Sequence, residues 1–245
     1  MSATTPLQAV QSPVVSCYRS GEFLRSRSVG AVVLTDTLDL PAPAARLRAD
    51  WHREIHLRLG LEPGDVEALS LVRARSRWPD YRHCVQAVSD WTRGLGLQDI
   101  LATSDVALMA CRGAKYHHDG VQYGGMAFCN LFLSEDKGLD LHFPHAGYRI
   151  PLTRGTAVVF DTGQAHAVIA RHSSGFEAAD FPADPDRSLV FLTWELPIEN
   201  THVAQALGVT FDPGTASAPL PDEEQVLVNG APARLCPDSG RWIGV

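Results

Sequence analysis

The chain has 245 residues, of which 45% are hydrophobic and 20% charged, enough for one large domain or a domain with a small appendage. A formal net charge of -7 and the lack of any dense Lys/Arg run argue against nucleic acid as a partner, because neutralising phosphates takes clustered cations. No basic leader precedes an apolar core at the amino end, and no apolar run approaches a bilayer span, so a cytoplasmic protein without a membrane partner is expected.

In chain order, residues 1–15 read as a flexible lead-in, residues 16–200 as one domain and residues 201–245 as a hairpin tail. Between Pro41 and Leu101 the pattern is helical. AARLRADWHREIHLRLGL places Leu47, Trp51, Ile55 and Leu59 at steps of four, a stripe for packing on a sheet. A second helix, around YRHCVQAVSDWTRGLG, stops where Gly94 and Gly96 supply the usual ending.

From about 105 to 196 the character changes to short β-type runs: VALMACR, MAFCNLFLS, LDLHFP, TAVVFD, HAVIAR and SLVFLTWEL. Strands that follow the helices rather than alternate with them predict a mainly β fold with flanking helices, as a sandwich or barrel. In the tail, Asn229-Gly230 between apolar runs signals a hairpin. Five scattered cysteines (Cys17, Cys84, Cys111, Cys129, Cys236) with no Cys-x-x-Cys pair indicate reduced, mostly buried thiols.

The segment KYHHDGVQYGG carries the chemistry. On a strand, residues two apart share a face, so His117 and Asp119 can reach one ion while His118 points away. Far along the chain, GTAVVFDTGQAHAV delivers His166 from a second apolar run. Two neutral imidazoles and one carboxylate on one face of a metal leave three adjacent positions open, the ligand set expected of non-haem Fe(II) that binds a co-substrate and O2. His142 and His145 in LHFPHAG, with Asp140, imitate such a set only weakly, since Pro144 interrupts the strand pattern and a surface turn is expected.

With HHD at 117–119, CNLFLSED followed by KGLDLHFP, RGTAVVFDTGQAH at 154–166 and DRSLVFLTWE at 186–195, the chain resembles the Fe(II)- and 2-oxoglutarate-dependent dioxygenases, prolyl-hydroxylase-like branch. The resemblance implies a double-stranded β-helix (jelly-roll, cupin-like) core, with His117, Asp119 and His166 as iron ligands and 2-oxoglutarate and O2 as co-substrates. Arg187 would take the distal carboxylate of 2-oxoglutarate through a two-pronged contact. Tyr116 or Tyr123, beside the site, and Asn130, if its strand face points inward, could hydrogen-bond the keto acid. The interval from His166 to Arg187 is longer than the family's pattern, which makes ARHSSGFEAADFPADPD an insertion and leaves Arg171 as a rival anchor.

The implied reaction hydroxylates a C–H bond of a small molecule or an amino-acid side chain, with succinate and CO2 released. The insertion, and with it the tail, could close over a small substrate as a lid. A cupin-like metal-binding sensor or structural protein without turnover is the alternative. A zinc hydrolase is a third possibility, weakened by the lack of an obvious general base.

Overall fold

The computed structural model describes residues 14–21, 23–211 and 225–244. Strands β1 (Val14–Ser20), β2 (Phe23–Ser28) and β3 (Leu34–Thr37) precede helix α1 (Ala45–Arg53), which runs on into a π-helical turn at Glu54–Leu59. Then come β4 (Val66–Leu69), α2 (Leu71–Arg75) and α3 (Tyr81–Gly94). The β-rich stretch holds β5 (Val106–Cys111), β6 (Ala114–His117), the short helix α4 (Gly120–Tyr123), β7 (Met126–Phe132), β8 (Leu139–Phe143), β9 (Tyr148–Pro151), β10 (Thr156–Asp161), β11 (His166–Ala170) and β12 (Leu189–Pro197). Helix α5 (Thr201–Leu207), β13 (Gln225–Val228), β14 (Ala231–Leu235) and β15 (Trp242–Gly244) complete the described chain.

All pairings among the described strands are antiparallel, in sheets ordered β3-β10-β7-β12-β5-β4, β6-β11-β8-β9 and β15-β14-β13-β1-β2. The first two face each other. Phe132, Val158, Phe160 and Phe191 from the six-stranded sheet pack with Leu139, Leu141, Phe143 and Val168 from the four-stranded one, which makes a β-sandwich interior.

Alternation along the six-stranded sheet sends the other residues to a helix layer. Ala127, Cys129 and Leu131 of β7 and Val190, Leu192 and Trp194 of β12 meet the expected stripe of Leu47, Trp51 and Ile55, with Leu59 partly buried at its end. Trp51 also packs edge-on to Trp78, ring centroids 5.4 Å apart at 80°. Strand β10, TAVVFD, is buried at every position because both its faces are covered, which is why it reads as a continuous apolar run.

Each of the six expected runs contains a strand within a residue or two of its expected bounds. One expectation about the ends changes. Val14 and Val15, assigned to the flexible lead-in, lie in β1, while residues 1–13 fall outside the described residues. The expected hairpin forms: β13 and β14 pair across a turn at Asn229-Gly230, with φ of 53° and 79°, as the primed hairpin turns require. Through β13 it then pairs with β1, so the two ends of the chain share one sheet.

The β1–β2 ribbon is fastened to the sandwich by a buried ion pair. Arg27 on β2 donates two hydrogen bonds to Asp161 at the end of β10, at 2.6 and 2.8 Å, and both side chains are 0% exposed. Asp161 also accepts the Gly30 and Gly163 N–H groups, and Arg27 donates from Nε to the Gly124 carbonyl. The five cysteines are free thiols, with Cys84, Cys111 and Cys129 buried. No helix among the described residues is long and apolar enough to cross a membrane.

Candidate metal centre

Strand β11 pairs with β6 so that His166 lies opposite His117. Strand β6 ends at His117, and the chain turns at His118 so that Asp119 stands just before α4. The two ligands therefore converge through a turn, which corrects the expectation that both lie along one strand face. The His117 Nε2 to Asp119 Oδ1 distance is 3.8 Å and the His166 Nε2 to Asp119 Oδ2 distance is 3.5 Å, with the two imidazole centroids 4.3 Å apart. One ligand atom from each lies within 4.8 Å of the others. Ligands bonded at about 2.1 Å to one ion sit roughly 3 Å apart in adjacent positions, so a small contraction closes the set.

Backbone carbonyls fix both rings. His117 Nδ1 lies 2.7 Å from the Lys115 carbonyl and His166 Nδ1 lies 2.9 Å from the Gln164 carbonyl. A carbonyl accepts only, so each Nδ1 donates to its carbonyl and each Nε2 faces Asp119. The loop between β10 and β11 holds the other side: Asp119 N–H donates to the Thr162 carbonyl, and the Thr162 hydroxyl donates to the Tyr123 and Met126 carbonyls.

Burial, with the charge of His117 adding, holds His166 well below its ordinary pKa, so its ring is neutral and available to a metal. Burial pushes the Asp119 carboxyl up and His117 pulls it part of the way back. A bound cation removes that penalty on the carboxylate. His118 faces away, as expected, against Trp242 at 5.0 Å between centroids, and burial followed by the charge of His117 pulls it down to about 4.

The three ligands open into a cavity of about 280 Å³ between the sheets. Its far wall is apolar, with Cys111, Ala114, Phe132, Leu141, Val168 and Phe191. Asn130 lines it, as its strand face predicts, opposite Thr193 in the β7–β12 register. Asn130 Oδ1 and Thr193 Oγ1 are both buried without a hydrogen-bond partner. Thr193 and Glu195 were not singled out from sequence. Their signal was two polar residues in the apolar run SLVFLTWEL, at the alternate positions that face away from Trp194.

Three proposed keto-acid contacts lie elsewhere. Arg187 precedes β12, and its Nη1 donates to the Asp180 carbonyl at 3.0 Å. Arg112 Nη2 donates to the Phe181 carbonyl at 2.7 Å, so two arginines grip the insertion's backbone while Phe181 is buried in the sandwich interior. Arg171 is held at the surface side by Asp136 and Asp140. Tyr116, one residue before His117, faces outward and its hydroxyl pairs with His142 Nδ1 at 2.7 Å. His142 is thus a strand residue rather than part of a surface turn, and His145 meets the Gly240 carbonyl.

Among the described residues, no Lys or Arg and no residue of 172–186 lines the cavity; its charged residues are Asp119 and Glu195. The undescribed positions, 1–13, 22, 212–224 and 245, contain no Lys or Arg either. Tyr123, named beside Tyr116, does line the cavity.

No family model matches the chain, and no curated protein does. Among solved structures it is similar to a prolyl-4-hydroxylase from Pseudomonas putida, at 17% identity over 67% of this chain and 92% of that one, with a TM-score of 0.38. It is also similar to EvdO2 from Micromonospora carbonacea var. aurantiaca, at 14% identity over 69% and 87% of the two chains and a TM-score of 0.41. A third likeness is to the non-heme alpha ketoglutarate dependent epimerase SnoN from nogalamycin biosynthesis, at 12% identity over 77% and 88%, with a TM-score of 0.35.

Proposed function

We propose that the chain is a non-haem Fe(II)- and 2-oxoglutarate-dependent oxygenase on a jelly-roll (double-stranded β-helix) core, hydroxylating a C–H bond of a small molecule or amino-acid side chain. The observation that carries this is the convergence of His117, Asp119 and His166 on a cavity, with both Nδ1 protons committed to carbonyls. Two neutral imidazoles and a carboxylate leave adjacent open positions and suit Fe(II). What iron and the keto acid supply when bound is the O2-driven oxidation of the C–H bond, with succinate and CO2 released.

The rest is the work of the chain. Thr193 places an unpartnered hydroxyl in the cavity wall that can donate to a distal carboxylate, and opposite it the Asn130 side chain can donate through Nδ2, its unpartnered Oδ1 being an acceptor only. They take the part the resemblance gives to Arg187. The apolar wall of Phe132, Phe160 and Phe191 limits water around the reacting atoms. Glu195, its carboxyl pushed up by burial and by Asp105, is placed to receive an amine or hydroxyl of the substrate.

Isothermal titration of 2-oxoglutarate into anaerobic metal-loaded protein tests this assignment. Thr193→Val is expected to weaken binding about 10-fold, within the range for an unmade hydrogen bond to a buried charged group. Arg187→Ala should stay within about 3-fold of the unmodified protein, as a residue outside the cavity should. The opposite ranking would return the anchor to Arg187.

The absence of Lys and Arg from the cavity lining also favours a second reading, a cupin-like metal-binding protein without turnover. Metal-dependent formation of succinate from 2-oxoglutarate separates the two: the oxygenase produces it and the cupin-like protein does not.

A further inference from the structure

A second cavity, of about 300 Å³, lies on the helix side of the six-stranded sheet, and its lining includes His52, Asp186, Arg48, Lys137 and Arg154. His52 and His56 are four apart across the junction of α1 and the π-helical turn, so they stack on one face with centroids 4.3 Å apart at 46°. Asp186, from the loop before β12, brings Oδ1 to 3.4 Å from His56 Nε2. One ligand atom of each residue lies within 4.8 Å of the others.

The first metal centre gives a yardstick within the same molecule. Its two imidazoles are also 4.3 Å apart, at 53°, and its His-to-Asp distances are 3.5 and 3.8 Å. The second cluster matches it in the spacing of its two imidazoles and in one His-to-Asp distance, 3.4 Å from His56 to Asp186. His56 Nε2 is buried without a hydrogen-bond partner, so its lone pair or proton is aimed at the cluster and satisfied by nothing else in the fold. Asp186 divides its oxygens: Oδ1 faces His56 and accepts the Ser188 N–H at 2.9 Å, while Oδ2 lies 3.4 Å from Lys137 Nζ. Lys137 thus neutralises the oxygen turned away from the histidines, and Oδ1 keeps the electron density a cation would use.

We propose that His52, His56 and Asp186 form a second metal site, for a divalent ion of the zinc class. Imidazole nitrogen and carboxylate oxygen at about 2.0–2.2 Å suit that ion, and a helical His pair plus one more ligand leaves a position open. Here the open position faces the cavity, where Arg48 and Arg154 offer countercharge to an anionic fourth ligand. The ion would clip the loop that carries Asp186 and Arg187 onto the helix layer.

The test uses the full chain, stripped with a chelator, equilibrated with Zn(II) at neutral pH and assayed for bound metal by elemental analysis. The unmodified protein should hold two equivalents. His52→Ala, at an exposed position, should hold one, as should His56→Ala, and His166→Ala should also hold one by losing the ion between the sheets. A single equivalent in the unmodified protein, or two retained by both His52→Ala and His56→Ala, would overturn the second site while leaving the first to be judged by His166→Ala.

Discussion

Asp119→Ala is expected to lower affinity for Fe(II) by at least ~100-fold, since loss even of the groups that orient metal ligands costs 10–100-fold. The carboxylate is the one anionic ligand of the set, and its removal leaves two neutral rings facing an uncompensated dication. The fold should survive. Asp119 stands at a turn, its N–H bond to the Thr162 carbonyl is made by the backbone, and burial already disfavours its charge in the metal-free state. Competition with a fluorescent chelator, alongside circular dichroism to show retained structure, checks this; near-normal affinity would mean that the metal sits elsewhere.

The largest expected loss of stability belongs to the pair of Arg27 and Asp161. Asp161→Ala leaves a guanidinium at 0% exposure without its partner and strips the Gly30 and Gly163 N–H groups of their acceptor. Breaking a buried pair from one side costs about 3–5 kcal/mol, because the remaining charge cannot return to water without unfolding its surroundings. Equilibrium urea unfolding should show that loss. Asp161 also begins the turn that carries Thr162 and leads to His166, so the variant should bind metal more weakly even under conditions where it is folded. A change below about 1 kcal/mol would show that the ribbon is held by packing rather than by this pair.

Much of the β core was legible because its strands are dense in β-branched and aromatic residues and are buried on one or both faces, as in TAVVFD and SLVFLTWEL. The ribbon strands were not. In β2, FLRSRS, charged residues interrupt the pattern because one of them, Arg27, is buried only by virtue of a carboxylate far along the chain. The candidate ligands His117, Asp119 and His166 were legible from type and spacing, although Asp119 arrives through a turn rather than along the strand.

What local pattern could not supply is where a long side chain ends up. Arg187 has a position beside β12 that resembles a carboxylate anchor, yet the insertion folds so that the Asp180 carbonyl receives its guanidinium. Tyr116 was assigned to the site by proximity, but alternation along β6 sends it outward to His142. Thr193 and Asn130 become a pair only through the register of β12 on β7, which joins segments more than sixty positions apart.

On the proposed function, His117, Asp119 and His166 hold an iron to which 2-oxoglutarate binds. The most direct measurement is anaerobic addition of Fe(II) and then 2-oxoglutarate to the purified protein, followed by visible absorption, with His166→Ala as the control. The proposal predicts a weak metal-to-ligand charge-transfer band that depends on both additions and is lost in the variant. Tight Fe(II) binding with no such band at any keto-acid concentration would contradict it and leave a metal-binding β protein without this chemistry.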